Sequence, residues 1–303
     1  ISPEGMLQDA ETAMRRAKGT PDEPCQVFDV AMHERVQNRV HLEAELRGGI
    51  ARDEFVLHYQ PIVSLVTGSI TSCEALVRWN HPTRGFVPPL DFISIAEESG
   101  LIVPLGQLVL EKACAQARSW QSLGRGELSV AVNVSARQLA EGHLVDVVER
   151  TLASTGLAPH LLKVEVTESI AATNPDATIS TLRTLKNLGV QILIDDFGTG
   201  HSSLSRLTRF PLDKLKIDRC FVMNIPDSGH DSAVASTIVA MAHALGLSVI
   251  AEGVETMDQA AFLRFIGCEE MQGYLFSKPV DAATFGRLLE EDKRFCFDAR
   301  TSA

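Results

Sequence analysis

The sequence predicts an α/β fold: a (β/α)8 TIM-like barrel with one antiparallel strand near its start, preceded by a helical linker. Three observations carry this. From Glu54 onward, short apolar runs alternate with amphipathic helical stretches. Eight candidate strands fall within roughly 225 residues, which suits a closed barrel better than an open doubly wound sheet. The first two candidate strands are separated only by 64–68, too short for a helical crossover, so they must pair antiparallel.

The elements follow in order. Met6–Lys18 (MLQDAETAMRRAK) predicts a helix, with Met6, Leu7, Ala10 and Met14 on one face, and Pro24–Val30 a short strand. Ala31–Ala51 predicts a charge-rich helix with a broken stripe of Val36, Val40, Leu42 and Leu46, read as a linker or docking helix. Strands are predicted at 54–63, 69–79, 128–135, 161–169, 191–197, 213–219, 247–255 and 271–279. Helices are predicted over Leu90–Leu101, Leu105–Leu123, His143–Thr155, Asp176–Leu188, Ser203–Arg209, His230–Leu245, Met257–Ile266 and Ala282–Glu291.

Composition narrows the function. The 303 residues are 45% hydrophobic, enough for a large core. Lys+Arg 28 against Asp+Glu 39 gives −11, which argues against a binder of nucleic-acid polymer, since that needs a basic face. The six cysteines show no CxxC pair and read as reduced thiols in a cytoplasmic protein. No apolar run reaches the roughly 18–20 residues of a membrane span. The sequence reads without a signal peptide, and a chain opening at Ile1 reads as a fragment, from which membrane or sensor segments could have been cut away.

The chemistry concentrates in QILIDDFGTGHSS (191–203). An apolar run stops at Asp195 and Asp196, ahead of a loop with Gly198 and Gly200. Adjacent strand residues point to opposite faces, so the pair shares one site only if the strand ends there. Other strands repeat the pattern: Glu74 in SCEALVRW, Asn133 after Val130–Val132, Glu165 in KVEV, Lys216 in LKI, Glu252 after VIA, and Gln272 opening the last strand. So many mostly acidic groups among apolar neighbours call for a cation. Glu74, Asn133, Glu165, Asp195, Asp196 and Glu252 offer hard oxygen donors, which favours Mg²⁺ or Mn²⁺ over zinc. Five carboxylates over-neutralise one divalent ion; two ions about 3.5–4 Å apart, sharing Asp195, balance better and suit phosphodiester hydrolysis. Lys216 either serves that reaction or forms a structural ion pair with Glu255 or Asp196.

EALVRW (74–79), NVS (133–135), EVTES (165–169), DDFGTG (195–200), KIDR (216–219), AEGVE (251–255) and QGYLFSKP (272–279) together resemble an EAL domain, a cyclic di-GMP phosphodiesterase. YQPIV (59–63) and AEESGLI (96–102) fit the same pattern. Met6–Lys18 and Val27–His33 resemble the end of a GGDEF domain. The implied organisation is a GGDEF tail at 1–31, a linker helix at 32–51, the EAL barrel at 52–293 and a C-terminal tail at 294–303. The resemblance implies that Glu74, Asn133, Glu165 and Asp195 hold one ion, and that Asp195, Asp196 and Glu252 hold the second. It implies that Lys216 positions the attacking water, with Glu255 tethering Lys216 and Gln272 near water and substrate. Gln60, Arg78 and Asp218 would contact the ligand, with Arg78 as a fork on phosphate. Glu168 would anchor the loop 197–203. Also implied are a homodimer, activation by Mg²⁺ or Mn²⁺, inhibition by Ca²⁺, and cyclic di-GMP opened to linear pGpG. A non-catalytic cyclic di-GMP receptor is the alternative; such relatives usually lose metal ligands, which this chain keeps. His201 is a departure, standing where relatives carry an aromatic or apolar residue.

Overall fold

The structure, a computed structural model, describes residues 30–121, 127–168, 175–198 and 207–297. The predicted helix Met6–Lys18, most of the strand Pro24–Val30, His201 and most of the helix Ser203–Arg209 lie outside them. Val30 itself is helical, because α1 (Val30–Ala51) begins there.

Strand β1 (Phe55–Ser64) turns back into β2 (Ile70–His81), and the two pair antiparallel with Gln60 opposite Glu74. Six further strands then line up: β4 (Ser129–Asn133), β5 (Leu162–Thr167), β6 (Gln191–Phe197), β7 (Lys214–Ile217), β8 (Ser248–Ala251) and β9 (Glu270–Gln272). From β2 through β9 every neighbouring pair in this series is parallel. The barrel closes where β9 meets β1 antiparallel, Gln272 opposite Ile62. The reversed strand predicted at the start is therefore β1, antiparallel to both neighbours. Two short edge strands were not anticipated. β3 (Gly85–Val87) extends the upper end of β2, and β10 (Val280–Asp281) pairs with β1.

Helices α2 (Pro89–Ser99), α3 (Ile102–Gln121), α4 (Ala136–Ala140), α5 (Leu144–Thr155), α6 (Pro175–Asn187), α7 (Gly229–Ala244), α8 (Met257–Phe265) and α9 (Ala282–Glu290) lie between or after the strands. The helix predicted at Leu105 starts at Ile102, because Pro104 falls in the first turn, where its missing N–H has no intrahelical partner to lose. α4 escaped the sequence reading. Five residues carry no period, but a capping box of Ser135 and Gln138 closes its start. α5 buries Leu144, Val148, Thr151 and Leu152, the spacing of one helical face.

Inward-facing residues stack in three layers. Ile62, Leu193 and Ile250 form a small apolar cluster. Two residues earlier along β5, β7 and β9 than Glu165, Lys216 and Gln272 stand Lys163, Lys214 and Glu270, which share their face by the two-residue repeat. Glu270 pairs with Lys214 and accepts from Thr71 Oγ1 at 2.6 Å. The barrel thus has a polar floor, an apolar middle and a polar mouth.

α1 is seated on the barrel at its C-terminal end. Leu46 is fully buried beside Phe55 and Trp79, Glu45 pairs with Arg84 at 2.9 Å, and Gly49 sits where a Cβ would lie 3.0 Å from Trp79 Nε1. At the other end, Phe295 N–H donates to Gly68 O at 2.7 Å, so the chain to Phe297 lies against the β1–β2 hairpin. Because the seat of α1 is part of the core, Leu46→Ala should cost about 2–5 kcal/mol in denaturant unfolding. A cost below about 0.5 kcal/mol would show α1 to be a surface appendage.

Candidate metal centre

The mouth gathers one residue from nearly every strand. Glu74 comes from β2, Asn133 from the end of β4, Glu165 from β5, Asp195 and Asp196 from β6, Lys216 from β7, Glu252 from just past β8 and Gln272 from the end of β9. Gln272 was expected to open a strand at 271–279. It closes one instead, since Val254 N–H takes its carbonyl and the chain turns away at Gly273, where no side chain fits.

Lys216 stands at the centre, fully buried. Its Nζ lies 2.6 Å from Glu252 Oε1, 3.0 Å from Glu165 Oε2, 3.2 Å from Asp195 Oδ1 and 3.4 Å from Glu74 Oε2. Neither Glu255 nor Asp196 is among these partners. The structure does not bring Glu255 to Lys216: Glu255, at the rim, pairs with Arg219 at 2.8 Å. The reason is reach, because Glu255 lies beyond the turn at Gly253 while Glu252 directly follows the strand.

Asp195 and Asp196 reach one site by a route that the sequence reading did not foresee. β6 runs to Phe197, the end predicted for the strand at 191–197, so the pair sits one residue short of the strand's end. The β6–β7 register slips between Ile194 opposite Leu215 and Phe197 opposite Ile217, so β6 carries one extra residue. Asp196 sits in the left-handed region at φ 54°, and its N–H donates to Asp195 Oδ1 at 2.9 Å. The bulge cancels the alternation that would have sent the second carboxylate outward.

Carboxylate oxygens here fall into two overlapping groups, each within 4.8 Å: Glu74, Glu165 and Asp195, and Asp195, Asp196 and Glu252. Asp195 belongs to both, as the two-ion reading expects. Asn133 Nδ2 donates to Glu74 Oε1 at 2.7 Å, and Gln272 Nε2 donates to Glu74 Oε2 at 2.7 Å and to Gln60 Oε1 at 2.9 Å. Among the described residues, buried Glu165 Oε1 has no hydrogen-bond partner. An orphaned anionic oxygen within an all-oxygen donor set is what a hard divalent cation would satisfy, so the residues fit the ions expected.

Electrostatics point the same way. Burial pushes the Glu165 carboxyl well up against the help of Lys216, and Glu74, Asp195 and Glu252 add to the rise. Burial likewise raises Glu252 to about 8. Burial would raise Glu74 too, but Lys216, Gln272 and Asn133 together hold it below the usual range. Lys216 is pulled down by burial, yet its four carboxylates lift it well above an ordinary lysine. Asp196 is raised by burial, by Asp195 and by Asp218.

The remaining expected residues divide. Glu168 Oε2 accepts from Gly198 N–H at 2.9 Å, at the start of the loop it was expected to anchor. Gln60 is buried beside Gln272 and donates to Ser277 O at 3.3 Å. Asp218, expected to meet the ligand, accepts from Cys220 N–H at 2.8 Å and lies close enough to Asp196 to raise its carboxyl. That employment follows from its place as cap of a 3₁₀ turn just after β7. Arg78 lines a cleft of about 360 Å³ next to Asn133, walled by Leu76, Pro89 and Ile93, with Glu97 and Ser135 as polar groups. The sequence reading missed Glu97 and Ser135. Both fall within quoted motifs, AEESGLI (96–102) and NVS (133–135), but the cleft that gives them a place forms only where α2, α3 and α4 fold over β2 and β4.

An EAL domain model matches residues 43–279. The cyclic di-GMP phosphodiesterase NbdA of Pseudomonas aeruginosa is 45% identical over 296 residues, covering 98% of this chain and 37% of the relative. The cyclic di-GMP phosphodiesterase PdeR of Escherichia coli is 44% identical over 283 residues, covering 93% of this chain and 42% of the relative. The chain thus spans well under half the length of these curated relatives. Among solved structures, "PaMucR Phosphodiesterase, c-di-GMP complex" superposes with TM-score 0.78 at 44% identity, covering 81% of this chain and 99% of that one. The EAL enzyme Bd1971 in its cAMP and cyclic-di-GMP bound form gives TM-score 0.80 at 38% identity, covering 84% of this chain and 69% of that one.

The raised carboxyls carry a pH signature. Glu252 is protonated in the folded chain up to about 8 but only to 4.5 unfolded, so its contribution is full below pH 4.5 and lost as pH rises toward 8. Glu165 and Asp196 shift in the same direction. After treatment with EDTA, Tm should therefore fall from roughly pH 5 to pH 8. Saturating Mg²⁺ should flatten the slope, and Glu252→Gln should lessen it without metal. A slope unchanged by both would contradict the crowded-carboxylate account.

Proposed function

Because the chain belongs to the EAL domain family, we propose that it is a metal-dependent phosphodiesterase that hydrolyses cyclic di-GMP to linear 5′-pGpG. The observation that carries this reading is the pair of carboxylate groups interlocked through Asp195, with Lys216 between them. Glu74, Asn133, Glu165 and Asp195 would hold one Mg²⁺ or Mn²⁺, and Asp195, Asp196 and Glu252 the other. Bound there, the two ions would activate a water and neutralise charge on the attacking and leaving oxygens of the scissile phosphodiester.

The chain's own groups do the rest. Lys216, fixed by four carboxylates, presents a permanent positive charge that orients the attacking water and meets charge gathering on the phosphate. Gln272 holds Glu74 in place through its amide and, with Gln60, forms a polar wall on the substrate side. Arg78 at the cleft would take a phosphate oxygen, and the apolar walls around it would receive one base. Glu168 fixes the backbone that follows Asp196 and Phe197. The partners in this reading are cyclic di-GMP and a second copy of the chain, without nucleic-acid polymer or membrane contact. The acidic balance supports the first exclusion. A cytoplasmic site of action belongs to the same proposal; among the described residues no helix is long and apolar enough to cross a membrane, and the described cysteines are free.

Purified chain with Mg²⁺ should convert cyclic di-GMP to pGpG, and EDTA should stop it. Glu74→Ala and Asp195→Ala should each lower kcat at least 10³-fold while keeping the fold by circular dichroism. Ca²⁺, larger and looser in geometry, should inhibit. Tight cyclic di-GMP binding without turnover would make the chain a receptor, and wild-type activity in either variant would refute the ligand assignment.

A further inference from the structure

The bulge in β6 needs a device to hold it, because nothing in the strand's own pairing does. Between its two registered positions β6 advances three residues while β7 advances two. Asp196 at φ 54° and Gly198 at φ 99° are the two left-handed residues in that stretch. A non-glycine residue at such an angle persists only when its surroundings over-determine it. Glu168 takes the Gly198 N–H from one side.

The other side is filled by an aromatic ring. A Cβ placed on Gly198 would lie 2.6 Å from Phe221 Cε2 and 3.1 Å from Cζ, so the ring rests against the glycine backbone with no room for a methyl. Phe221 ends the 3₁₀ turn Arg219–Phe221, and Asp218 caps that turn: its carboxylate takes Cys220 N–H, and its carbonyl takes Phe221 N–H at 3.1 Å. The same Asp218 carboxyl lies beside that of Asp196. One short turn therefore touches the bulge twice, with Asp218 on Asp196 and Phe221 on Gly198. The ring is itself backed by the apolar cluster containing Val222, Ile225 and Val254.

We infer that Phe221 is a positioning residue for the metal centre: by propping Gly198 it keeps the bulge formed and Asp196 turned toward the ion site shared with Asp195 and Glu252. The inference rests on the two-ion reading and adds a residue to it that no ligand list contains. It also specifies which ion depends on the ring. The group of Glu74, Glu165 and Asp195 draws on three strands and needs no bulge beyond Asp195, whereas the second group loses Asp196 if the bulge relaxes.

The test is Mn²⁺ binding without nucleotide, read by calorimetry and electron paramagnetic resonance on the full chain. Wild type should bind two Mn²⁺. Phe221→Ala should keep the first and weaken the second about 10–100-fold, as loss of groups supporting a ligand does. Phe221→Leu, which still fills the seat, should recover most of that loss, and Met223→Ala on the exposed side of the same segment should change neither. Should Phe221→Ala not fold, Gly198→Ala tests the contact from the opposite side. It should weaken the second ion, and combining it with Phe221→Leu should give less than the summed losses. Wild-type affinity for both ions in Phe221→Ala, equal weakening of both, or additive losses in the pair would overturn the inference. Two Mn²⁺ bound by wild type with no hydrolysis would sink the catalytic proposal and leave this one standing; a single Mn²⁺ would overturn both.

Discussion

One buried lysine among four carboxylates sets the terms for the rest of the molecule. Lys216 brings one positive charge to Glu74, Glu165, Asp195 and Glu252, with Asp196 close behind. In a low-dielectric interior that surplus of negative charge is not tolerated as it stands; it draws in protons or cations. The raised Glu165 and Glu252 show the proton solution, and the orphaned Glu165 oxygen marks where a cation would do better. A closed sheet is what allows so many carboxylates from separate strands to meet, and Ile62, Leu193 and Ile250 below them exclude water from that side. Barrel, apolar middle and acidic mouth are therefore one solution to a single electrostatic problem.

Much of this was legible in the residues. Glu165 and Glu252 stand out because each interrupts or ends a run of apolar residues, and the short 64–68 connection dictated the reversed strand without any appeal to resemblance. The β3 and β10 edges were invisible because two or three residues carry no period. Arg219 claiming Glu255 was invisible too. An ion pair at the rim depends on which side of the Gly253 turn each side chain falls, and spacing does not encode that. Asp218 shows the same limit, since its cap on Cys220 N–H belongs to a 3₁₀ turn that its motif does not announce.

The aspartate pair is the most instructive difference. Alternation on a strand says that neighbours diverge, and the sequence reading reconciled this by ending the strand. The strand does end just past the pair, but the chain also inserts a residue there, with Asp196 twisted into the left-handed region. A bulge is a tertiary decision. It depends on Glu168 from β5 and Phe221 from beyond β7, and no local window of sequence contains both. Functional geometry that breaks a local rule was thus readable as a conflict, but its resolution was not.

The floor of the barrel shows why the mouth, and not every polar layer, is reactive. Lys163, Lys214 and Glu270 repeat the mouth's pattern two residues earlier, on the same strands and facing the same way. There the charges are nearly matched: Glu270 pairs with Lys214, takes Thr71 as a donor, and is held below the usual carboxylate range despite burial. Burial lowers Lys163 to about 8, so even the extra cation has a cheap way to shed its charge. The floor can settle its charge with what it already contains. The mouth cannot, because its surplus is several carboxylates deep, and it lies beside a cleft with a guanidinium at its edge. Identical backbone periodicity therefore yields a structural layer where charge closes internally and a binding centre where it does not.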